Sequence, residues 1–259
     1  PYILSKYDMG YKWKTIGNKS VKTNILSNGQ PAEILFIERC LQLLKEGGRM
    51  GIVLPNGHFE NPSLDYLRYY IKQKAKILGV INLPQETFIP YGTGVKTSLL
   101  FLEKQTLTNE LKYPLFFGKI TKLGYQGNKN GTPIYLKDAF GNTIIDNGVP
   151  QIDEAFSDVL SDYKKYKQYG CRLFDSLSYV IDYNELNSRL DYDFYSPANH
   201  EVLNKISASS VKLGDIVDIV KIKSPRLKNK ELDVNYIELS DINAHSLEII
   251  NSTNYKVHE

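Results

Sequence analysis

The sequence has few cysteines and no long apolar run, and each absence excludes a class of protein. Cys40 and Cys171 are the only cysteines in 259 residues, which excludes a disulfide framework and a four-cysteine zinc site. No run of about 18 apolar residues occurs, so no membrane-spanning helix is expected. The first residues also lack the charged and apolar pattern of a secretory leader. Because both thiols are expected to stay reduced, we predict a cytoplasmic protein.

The common motifs of self-contained enzymes are absent too. The sequence contains neither a GxxxxGK[ST] loop nor a GxGxxG turn after a strand, and it has no GxSxG motif. The four histidines stand at positions 58, 200, 245 and 258, without the spacing of metal ligands. The motifs by themselves therefore do not predict an enzyme, and no metal site is expected.

Net charge is small, although one segment is strongly basic. The chain carries 32 Lys and Arg against 29 Asp and Glu, a formal charge of +3. This balance does not predict a polyanion partner and leaves room for a local basic patch. The best candidates for phosphate contacts are Lys221, Lys223, Arg226, Lys228 and Lys230. The alternative for this stretch is a solvated charged loop.

Hydrophobic periodicity predicts alternating helices and strands after an irregular start. Residues 1–30 are polar and are interpreted as loop. The apolar spacing over residues 32–46 predicts a buried helix with Glu38 on its outer face. The unbroken apolar run at 50–54 predicts a strand covered on both faces. A helix capped by Asn61, with Pro62 at its first position, should then lead to a strand at 77–81 by a right-handed crossover.

The reversed strand of the predicted sheet is the next one along the chain. Residues 95–102 are apolar, and the link from 81 to 95 shows no helical pattern, so this strand is expected to run antiparallel. We predict a mostly parallel sheet with this reversed strand at its edge. Further along, a strand is predicted at 113–120, turns at 127–131, 141–142 and 147–148, and helices at 152–168 and 198–206.

Several separated segments resemble the N6-adenine DNA methyltransferase subunit of type I restriction-modification systems. The similar segments are residues 3–8, 10–14, 32–39, 45–55, 86–88 and 90–102. They occur in the family's order, and the resemblance extends over about residues 3–168. It implies an α/β fold, the C-terminal half of a Rossmann-like seven-stranded methyltransferase sheet with a reversed edge strand.

The C-terminal part resembles the start of a target-recognition domain from a type I specificity subunit. The similarity is carried by residues 189–191, Tyr195 and residues 213–219, 224–226, 236–237 and 241–242. Ile222 and Lys223 stand where the family often has a glycine before Ser/Thr-Pro. The resemblance implies three parts: a methyltransferase part at 1–168, a linker at 169–188, and a partial α+β recognition domain at 189–259. Because the chain starts at Pro1 and stops without a closing element, we expect it to be a piece of a longer protein.

The resemblance implies an activity for that longer protein. It would transfer a methyl group from S-adenosylmethionine to N6 of a flipped adenine in a specific sequence of double-stranded DNA. The cofactor loop and the catalytic Asn-Pro-Pro-aromatic motif of the family lie upstream, so this chain alone is expected to be inactive. Pro1 and Tyr2 match the end of that motif, but the family's spacing favours a place in the following linker. Restriction or specificity subunits are the other expected partners, and no membrane is expected.

The resemblance also assigns roles to a loop before the reversed strand. Phe88 is the best match for the aromatic residue that stacks on the flipped base, and Tyr91 is the second. Gly92, Thr93 and Gly94 would let the backbone approach DNA, and Lys96 would contact a phosphate. The alternatives are a core anchor for Phe88, a simple turn for the glycines and a solvated charge for Lys96.

Two further questions stay open on the sequence. Asn56 and His58 follow the carboxyl end of a predicted strand, where open α/β sheets bind ligands, and the alternative is a capping Asn and a loop His. The alternative function for the whole chain is a catalytically inactive DNA-binding or assembly fragment, with the methyltransferase-like half as scaffold. A small-molecule or protein methyltransferase is disfavoured by the resemblance of the C-terminal part.

Overall fold

The computed structural model divides the chain into two compact units, residues 1–206 and residues 207–259. It describes residues 2–17, 19–105, 112–174, 176–207, 210–211, 213–218, 233–243, 246 and 248–256. Pro1 and the five basic residues Lys221, Lys223, Arg226, Lys228 and Lys230 lie outside the described residues.

The first unit is built from strands and helices that alternate along the chain. Its strands are β1 (Tyr11–Ile16), β2 (Lys19–Leu26), β3 (Arg49–Pro55), β4 (Ala75–Asn82), β5 (Thr97–Lys104), β6 (Pro114–Lys119), β7 (Ile145–Asp146), β8 (Val149–Pro150) and β9 (Ser178–Asp182). Its helices are α1 (Ala32–Leu43), α2 (Gly57–Glu60), α3 (Asp65–Lys74), α4 (Phe156–Tyr169), α5 (Tyr192–Tyr195) and α6 (Pro197–Ser207), the last of which ends at the division. Short 3-10 helices lie at Leu4–Lys6, Asp8–Gly10, Pro62–Leu64, Gln85–Tyr91 and Tyr183–Glu185.

Five strands form the central mixed sheet, in the order β3-β5-β4-β6-β9. The prediction that the strand near 95–102 runs antiparallel is confirmed. Its predicted place at the edge is wrong, because β5 pairs with β3 on one side and with β4 on the other. The predicted mostly parallel sheet is also wrong, since only the β4–β6 pair among these strands is parallel. The error arises because a strand that returns without a crossover can insert between two earlier strands.

Helices cover the two faces of this sheet unequally. Ile34, Ile37, Leu67 and Ile71 of α1 and α3 bury one face, as the periodicity of both helices predicted. Helix α4 packs on the other face, where Val159 meets the β6 and β9 side of the sheet. The prediction that residues 50–54 are covered on both faces is wrong, because Leu54 is buried on one face while Gly51 and Val53 are exposed on the other. Val53 is 44% exposed.

The N-terminal segment contains a β-hairpin, so its interpretation as loop is wrong. Strands β1 and β2 pair antiparallel, from Tyr11 opposite Leu26 to Ile16 opposite Lys19. The Trp13 ring stacks on Tyr66, with 6.1 Å between ring centroids, and meets the edge of Tyr70 at 6.2 Å. Because most side chains of this hairpin are polar and exposed, hydrophobic periodicity gives no signal for it.

Glu38 faces inward, which corrects its predicted place on the outer face of α1. It is 1% exposed. Its carboxylate accepts the backbone N–H groups of Asp8 at 2.9 Å and Met9 at 2.8 Å, and the Gln42 side chain at 2.9 Å. The N-terminal segment therefore covers a face of α1 that the helix pattern alone marked as exposed.

The first unit continues beyond the predicted linker. Strand β9 lies inside residues 169–188 and pairs with β6. Leu190, Tyr192 and Tyr195 belong to the same buried core as the helices. The buried Arg68 donates to the carbonyl oxygens of Ser188, His58 and Asn61, and so ties this segment to the end of β3. The structure thus divides the chain after Ile206, 18 residues after the predicted linker ends at 188.

The second unit is small, and part of it is described. Strands β10 (Asp233–Tyr236) and β11 (Thr253–Lys256) pair antiparallel, and 3-10 helices lie at Leu213–Asp215 and Leu239–Asp241. The assignment of residues 189–259 to a recognition domain stays a prediction. Across the described residues of both units, no helix is long and apolar enough to cross a membrane.

Candidate nucleic-acid interface

The polar residues of interest lie where the strands of the central sheet begin or finish, and we call this end of the sheet the polar edge. It is distinct from the outermost strands β3 and β9. Strands β3, β4 and β6 point their carboxyl ends to this edge, and β5 starts there. The register places Ser98 opposite Asn82, and Asn82 beside Lys119. Open α/β sheets bind their ligands at the carboxyl ends of their parallel strands, so we assign the candidate site to this edge.

Buried amides and a hydroxyl hold the strand ends together. The Ser98 hydroxyl donates to Asn56 Oδ1 at 2.8 Å, and Asn82 Nδ2 donates to Ser98 Oγ at 3.3 Å. The Asn56 backbone N–H donates to the Lys96 carbonyl at 2.9 Å. Because these groups bond to one another, the structure favours for Asn56 a role in holding the strand ends together over a ligand contact. Asn56 stands at the N-cap of α2, but its side chain makes no capping hydrogen bond.

His58 is buried behind this edge. Its Nδ1 lies 3.2 Å from the Pro55 carbonyl oxygen, which can only accept, so Nδ1 carries a proton. Its Nε2 has no hydrogen-bond partner among the described residues. Burial lowers the pKa of His58, and the hydrogen bond to the Pro55 carbonyl oxygen offsets part of this decrease.

The loop predicted to contact DNA lies beside the polar edge. It contains a 3-10 helix at Gln85–Tyr91, although no helix was predicted between 81 and 95. The helix was missed because a 3-10 helix lacks the 3.6-residue period by which helices are predicted. Gly92 ends this helix at φ 90°, a conformation that glycine adopts readily. The Thr93 N–H donates to the Phe88 carbonyl at 3.1 Å and closes the turn.

The two candidate stacking residues differ in exposure. Phe88 is partly buried and packs on the core cluster that contains Leu83 and Phe116. Tyr91 is 79% exposed, and its ring centroid lies 6.4 Å from that of Phe88. Tyr91 therefore presents a free ring to solvent, while Phe88 anchors the loop beneath it.

A basic residue that the sequence did not single out lines the same loop. Lys129 shares a cleft of about 400 Å³ with Gly92, Thr93 and Gly94. The segment that carries it is fixed by the Tyr125 hydroxyl, which donates to the Thr87 carbonyl at 2.7 Å. Lys129 lies in a predicted turn at 127–131, and only the tertiary contact brings it to the loop.

Two lysines at the edge share one carboxylate. Lys96 Nζ lies 3.4 Å from Asp193 Oδ2, and Lys119 Nζ lies 3.1 Å from Asp193 Oδ1. Burial alone would raise the pKa of Asp193, but the hydrogen bonds and charges of Lys119 and Lys96 hold it below its usual value. Sequence reasoning named Lys96 and missed Lys119. The available signal was its place at the end of the strand predicted at 113–120.

A larger groove of about 460 Å³ lies on the sheet face next to α4. Gly51, Phe101 and Leu160 line it, and Arg49 is its only charged lining residue. This groove lacks the convergent polar groups expected of a reaction site, so it is not the candidate site.

The predicted residue Tyr2 lies in an N-terminal turn, where it is 74% exposed. The Lys6 ammonium lies over its ring, 4.3 Å from the ring centroid.

Comparison with known proteins gives the family. The family model described as N-6 DNA Methylase matches residues 2–141, which is more than half of the chain. This chain belongs to the N-6 DNA methylase family. The matched residues of this methylase family member include the hairpin, the strands β3 to β6 and the loop with Phe88, Tyr91 and Lys96.

Two curated relatives match a shorter segment. The methylase subunit of the type I restriction enzyme EcoEI from Escherichia coli is 31% identical over 78 residues, 30% of this chain and 16% of that protein. The StySJI methylase subunit from Salmonella typhimurium is 33% identical over 78 residues, 30% of this chain and 14% of that protein. The matched segment thus spans about a sixth or less of the length of these relatives.

Solved structures of type I systems also match. One, from a study of assembly and conformational transition of a type I R-M system, is 21% identical, covers 72% of this chain and 37% of that chain, and has a TM-score of 0.42. The methyltransferase subunit of the Streptococcus thermophilus type I system is 18% identical, covers 67% and 32%, and also has a TM-score of 0.42. The family assignment itself rests on the match over residues 2–141.

Proposed function

We propose that this chain is part of a restriction-modification DNA methyltransferase. The whole protein would transfer a methyl group from S-adenosylmethionine to N6 of a flipped adenine in a specific sequence of duplex DNA. The observation that carries this proposal is the loop at residues 83–96. It lies within the family match, and the fold brings its residues to the polar edge of the sheet beside Lys119 and Lys129.

The exposed loop supplies the groups that a flipped base needs. A base out of the duplex is held by stacking and hydrogen bonds, and Tyr91 offers an exposed ring supported by Phe88. The backbone at Gly92 to Gly94 carries no bulky side chain and borders the cleft with Lys129. We assign Lys96 to a phosphate contact, since phosphate contacts position a protein on DNA.

The buried amides at the polar edge do not form an open cofactor site. The buried amides at the edge, Asn56 and Asn82, bond through Ser98 to each other rather than surrounding an open cradle. The proposal therefore assigns S-adenosylmethionine mainly to residues upstream of this chain. The chain's own part is to hold the base and the DNA backbone, and by itself we expect it to be inactive.

Recognition of the target sequence is assigned to the C-terminal region, with Lys221, Lys223, Arg226, Lys228 and Lys230 as phosphate contacts. The proposed partners are double-stranded DNA and restriction or specificity subunits, in the cytoplasm. The relatives' descriptions as subunits of type I restriction enzymes support such an assembly. The alternative is an inactive DNA-binding or assembly fragment, which the half-buried position of Phe88 supports, because an anchored ring also suits a scaffold.

The test is a methylation assay on the protein encoded by the full reading frame. It would be incubated with plasmid DNA and S-adenosylmethionine, and the DNA nucleosides would be analysed by mass spectrometry. We expect N6-methyladenine. A second version, ending at Ile206, should lose sequence preference while keeping duplex binding.

Each other result contradicts a defined part of the proposal. Methylated cytosine would refute the base assignment. Duplex binding without any methylation would support the scaffold alternative. Unchanged sequence preference in the version ending at Ile206 would refute the recognition role of residues 207–259.

A further inference from the structure

Asp193 bridges two lysines that come from different strands. Lys96 precedes β5, and Lys119 ends β6, yet each binds its own oxygen of one carboxylate, at 3.4 and 3.1 Å. The three side chains are 38%, 33% and 48% exposed, so the cluster is open to solvent and to a ligand. Lys119 also lies 5.4 Å from the centroid of the Tyr192 ring, which steers its ammonium group toward this position.

The backbone that carries Asp193 is firmly held. Helix α5 buries Tyr192 and Tyr195, and Asp191 caps it by accepting the Phe194 N–H at 3.2 Å. The Tyr179 hydroxyl donates to the Tyr192 carbonyl. The carboxylate is thus presented from a fixed support, while both lysines end in flexible stems. An exchange of partners would therefore be made by the lysines rather than by the helix.

We infer that Lys96 and Lys119 together bind one phosphate of duplex DNA, and that Asp193 occupies this phosphate site when no DNA is bound. The inference rests on the proposed function, because it takes duplex DNA as the ligand. It adds Lys119 as a DNA-binding residue and Asp193 as a built-in competitor that sets the affinity.

The chemistry of the two anions supports the exchange. A carboxylate and a phosphodiester each carry one negative charge on two free oxygens, so a pair of ammonium groups can bind either one. Partly exposed ion pairs contribute little free energy, which makes the Asp193 pairs easy to break. Lys96 follows Gly94 by two residues in the chain, so the phosphate site adjoins in sequence the glycine-containing turn where the backbone can approach DNA.

The experiment measures binding of the 259-residue chain to a fluorescein-labelled duplex oligonucleotide of mixed sequence by fluorescence anisotropy. Titrations would be made at several KCl concentrations between about 50 and 200 mM. Asp193→Asn should tighten binding about three- to tenfold, since two weak ion pairs no longer compete. Lys96→Gln and Lys119→Gln should each weaken binding and lower the salt slope by about 0.9.

The other end of strands β3 and β5, away from the polar edge, offers matched controls. Arg49 and Glu103 form an ion pair with 2.7 Å between Nε and Oε2. It lies six residue pairs along the β3–β5 ladder from Pro55 and Thr97, about 20 Å away. Glu103→Gln and Arg49→Gln make the same charge changes there. At this distance salt screens the effect on the site, so we expect changes below about twofold.

The double variant Lys96→Gln/Lys119→Gln separates competition from general charge. If Asp193 acts by occupying these lysines, Asp193→Asn should have no effect in that background. A full effect there, or an effect of Asp193→Asn equal to that of Glu103→Gln, would overturn the inference. If Asp193→Asn does not fold, Asp193→Ser gives the same comparison, with urea unfolding as the check.

The results also separate this inference from the proposed function. If Tyr91→Ala and Lys96→Gln weaken duplex binding while Asp193→Asn changes nothing, the competitor role fails and the DNA role stands. If neither the wild-type chain nor any variant binds duplex DNA, the DNA role of this edge fails, and the inference fails with it.

Discussion

A single carboxylate, Glu38, joins the N-terminal segment to helix α1. It accepts two backbone N–H groups, from Asp8 and Met9, and one side-chain donor, from Gln42. Buried donors that lose their acceptor cost about 1–3 kcal/mol each. This residue therefore determines how firmly the hairpin segment is held on the core.

We expect Glu38→Ala to lower the free energy of unfolding by about 2–4 kcal/mol, because two backbone donors lose their acceptor. Urea unfolding can be followed by the fluorescence of Trp13, the single tryptophan, whose Nε1 donates to the Asp8 carbonyl at 3.2 Å. The exposed Glu46 is the control, and Glu46→Ala should change stability by less than about 0.5 kcal/mol. A loss below about 1 kcal/mol for Glu38→Ala would contradict the bonding role.

The same residue gives a pH dependence with a defined sign. Burial raises the pKa of Glu38, and the N–H groups of Met9 and Asp8 offset part of this rise. The folded chain thus binds the proton more tightly than the unfolded chain. The stability from this group is complete below the unfolded pKa and is lost as the pH rises through the folded pKa. The stability of wild type relative to Glu38→Gln should therefore fall as the pH rises above the unfolded pKa of a glutamate, about 4.3, and a rise would be the contrary result.

At the scale of elements, the loop from β4 to β5 is the part to which we assign the proposed contact with the flipped base. The sequence predicted its importance from its two prolines, two glycines and aromatic residues, and from the family resemblance. It left open whether Phe88 stacks on a base or anchors the loop, and in the structure Phe88 packs on the core while Tyr91 stays exposed. Both rings stand in a short 3-10 helix, whose sequence shows no 3.6-residue period that would tell the buried side from the exposed one.

We expect Tyr91→Ala and Phe88→Ala to have different effects. Tyr91→Ala should weaken duplex binding and slow methylation by the full-reading-frame protein by about 5- to 100-fold, since stacking contributes about 1–3 kcal/mol per base. It should leave the urea midpoint unchanged, because the ring is exposed. Phe88→Ala should lower that midpoint as well, because the loop loses its anchor.

The control for this pair is Phe140→Ala, which removes an aromatic ring that is 90% exposed in another turn. It should change neither binding nor stability. If Phe140→Ala and Tyr91→Ala reduce binding equally, the stacking assignment is wrong. If Phe88→Ala leaves the urea midpoint unchanged, the anchor interpretation is wrong.

At the scale of the whole molecule, the division after Ile206 differs from the linker predicted at 169–188. Ten of the 20 residues at 169–188 are apolar or tyrosine, so this segment does not have the composition of a linker. Tyr179 and Ile181 of β9 belong to the core, and Arg68 donates to the Ser188 carbonyl oxygen. The apolar content could have signalled the strand, whereas the contact with Arg68 is decided by the tertiary structure.

We expect a chain ending at Ile206 to keep the urea midpoint of the full chain, as reported by Trp13. A chain ending at Ser188 should unfold at a lower urea concentration, because it loses the buried Leu190, Tyr192 and Tyr195. Its free energy of unfolding should be lower by more than about 4 kcal/mol. Circular dichroism and size-exclusion chromatography would show whether the shorter chain is folded. Equal midpoints for the two chains would contradict the placement of residues 189–206 in the first unit.

The sequence by itself determined the helices α1 and α3, the strands β3 to β6 and the antiparallel direction of β5. Those elements have regular apolar periods, and local spacing is enough to predict them. It also identified the family, because separated motifs keep their order along the chain. Only the tertiary structure decided the insertion of β5 between β3 and β4, the burial of Glu38, and the meeting of Lys96, Lys119 and Asp193. These features depend on contacts between residues far apart in the chain, about which a local pattern carries no information.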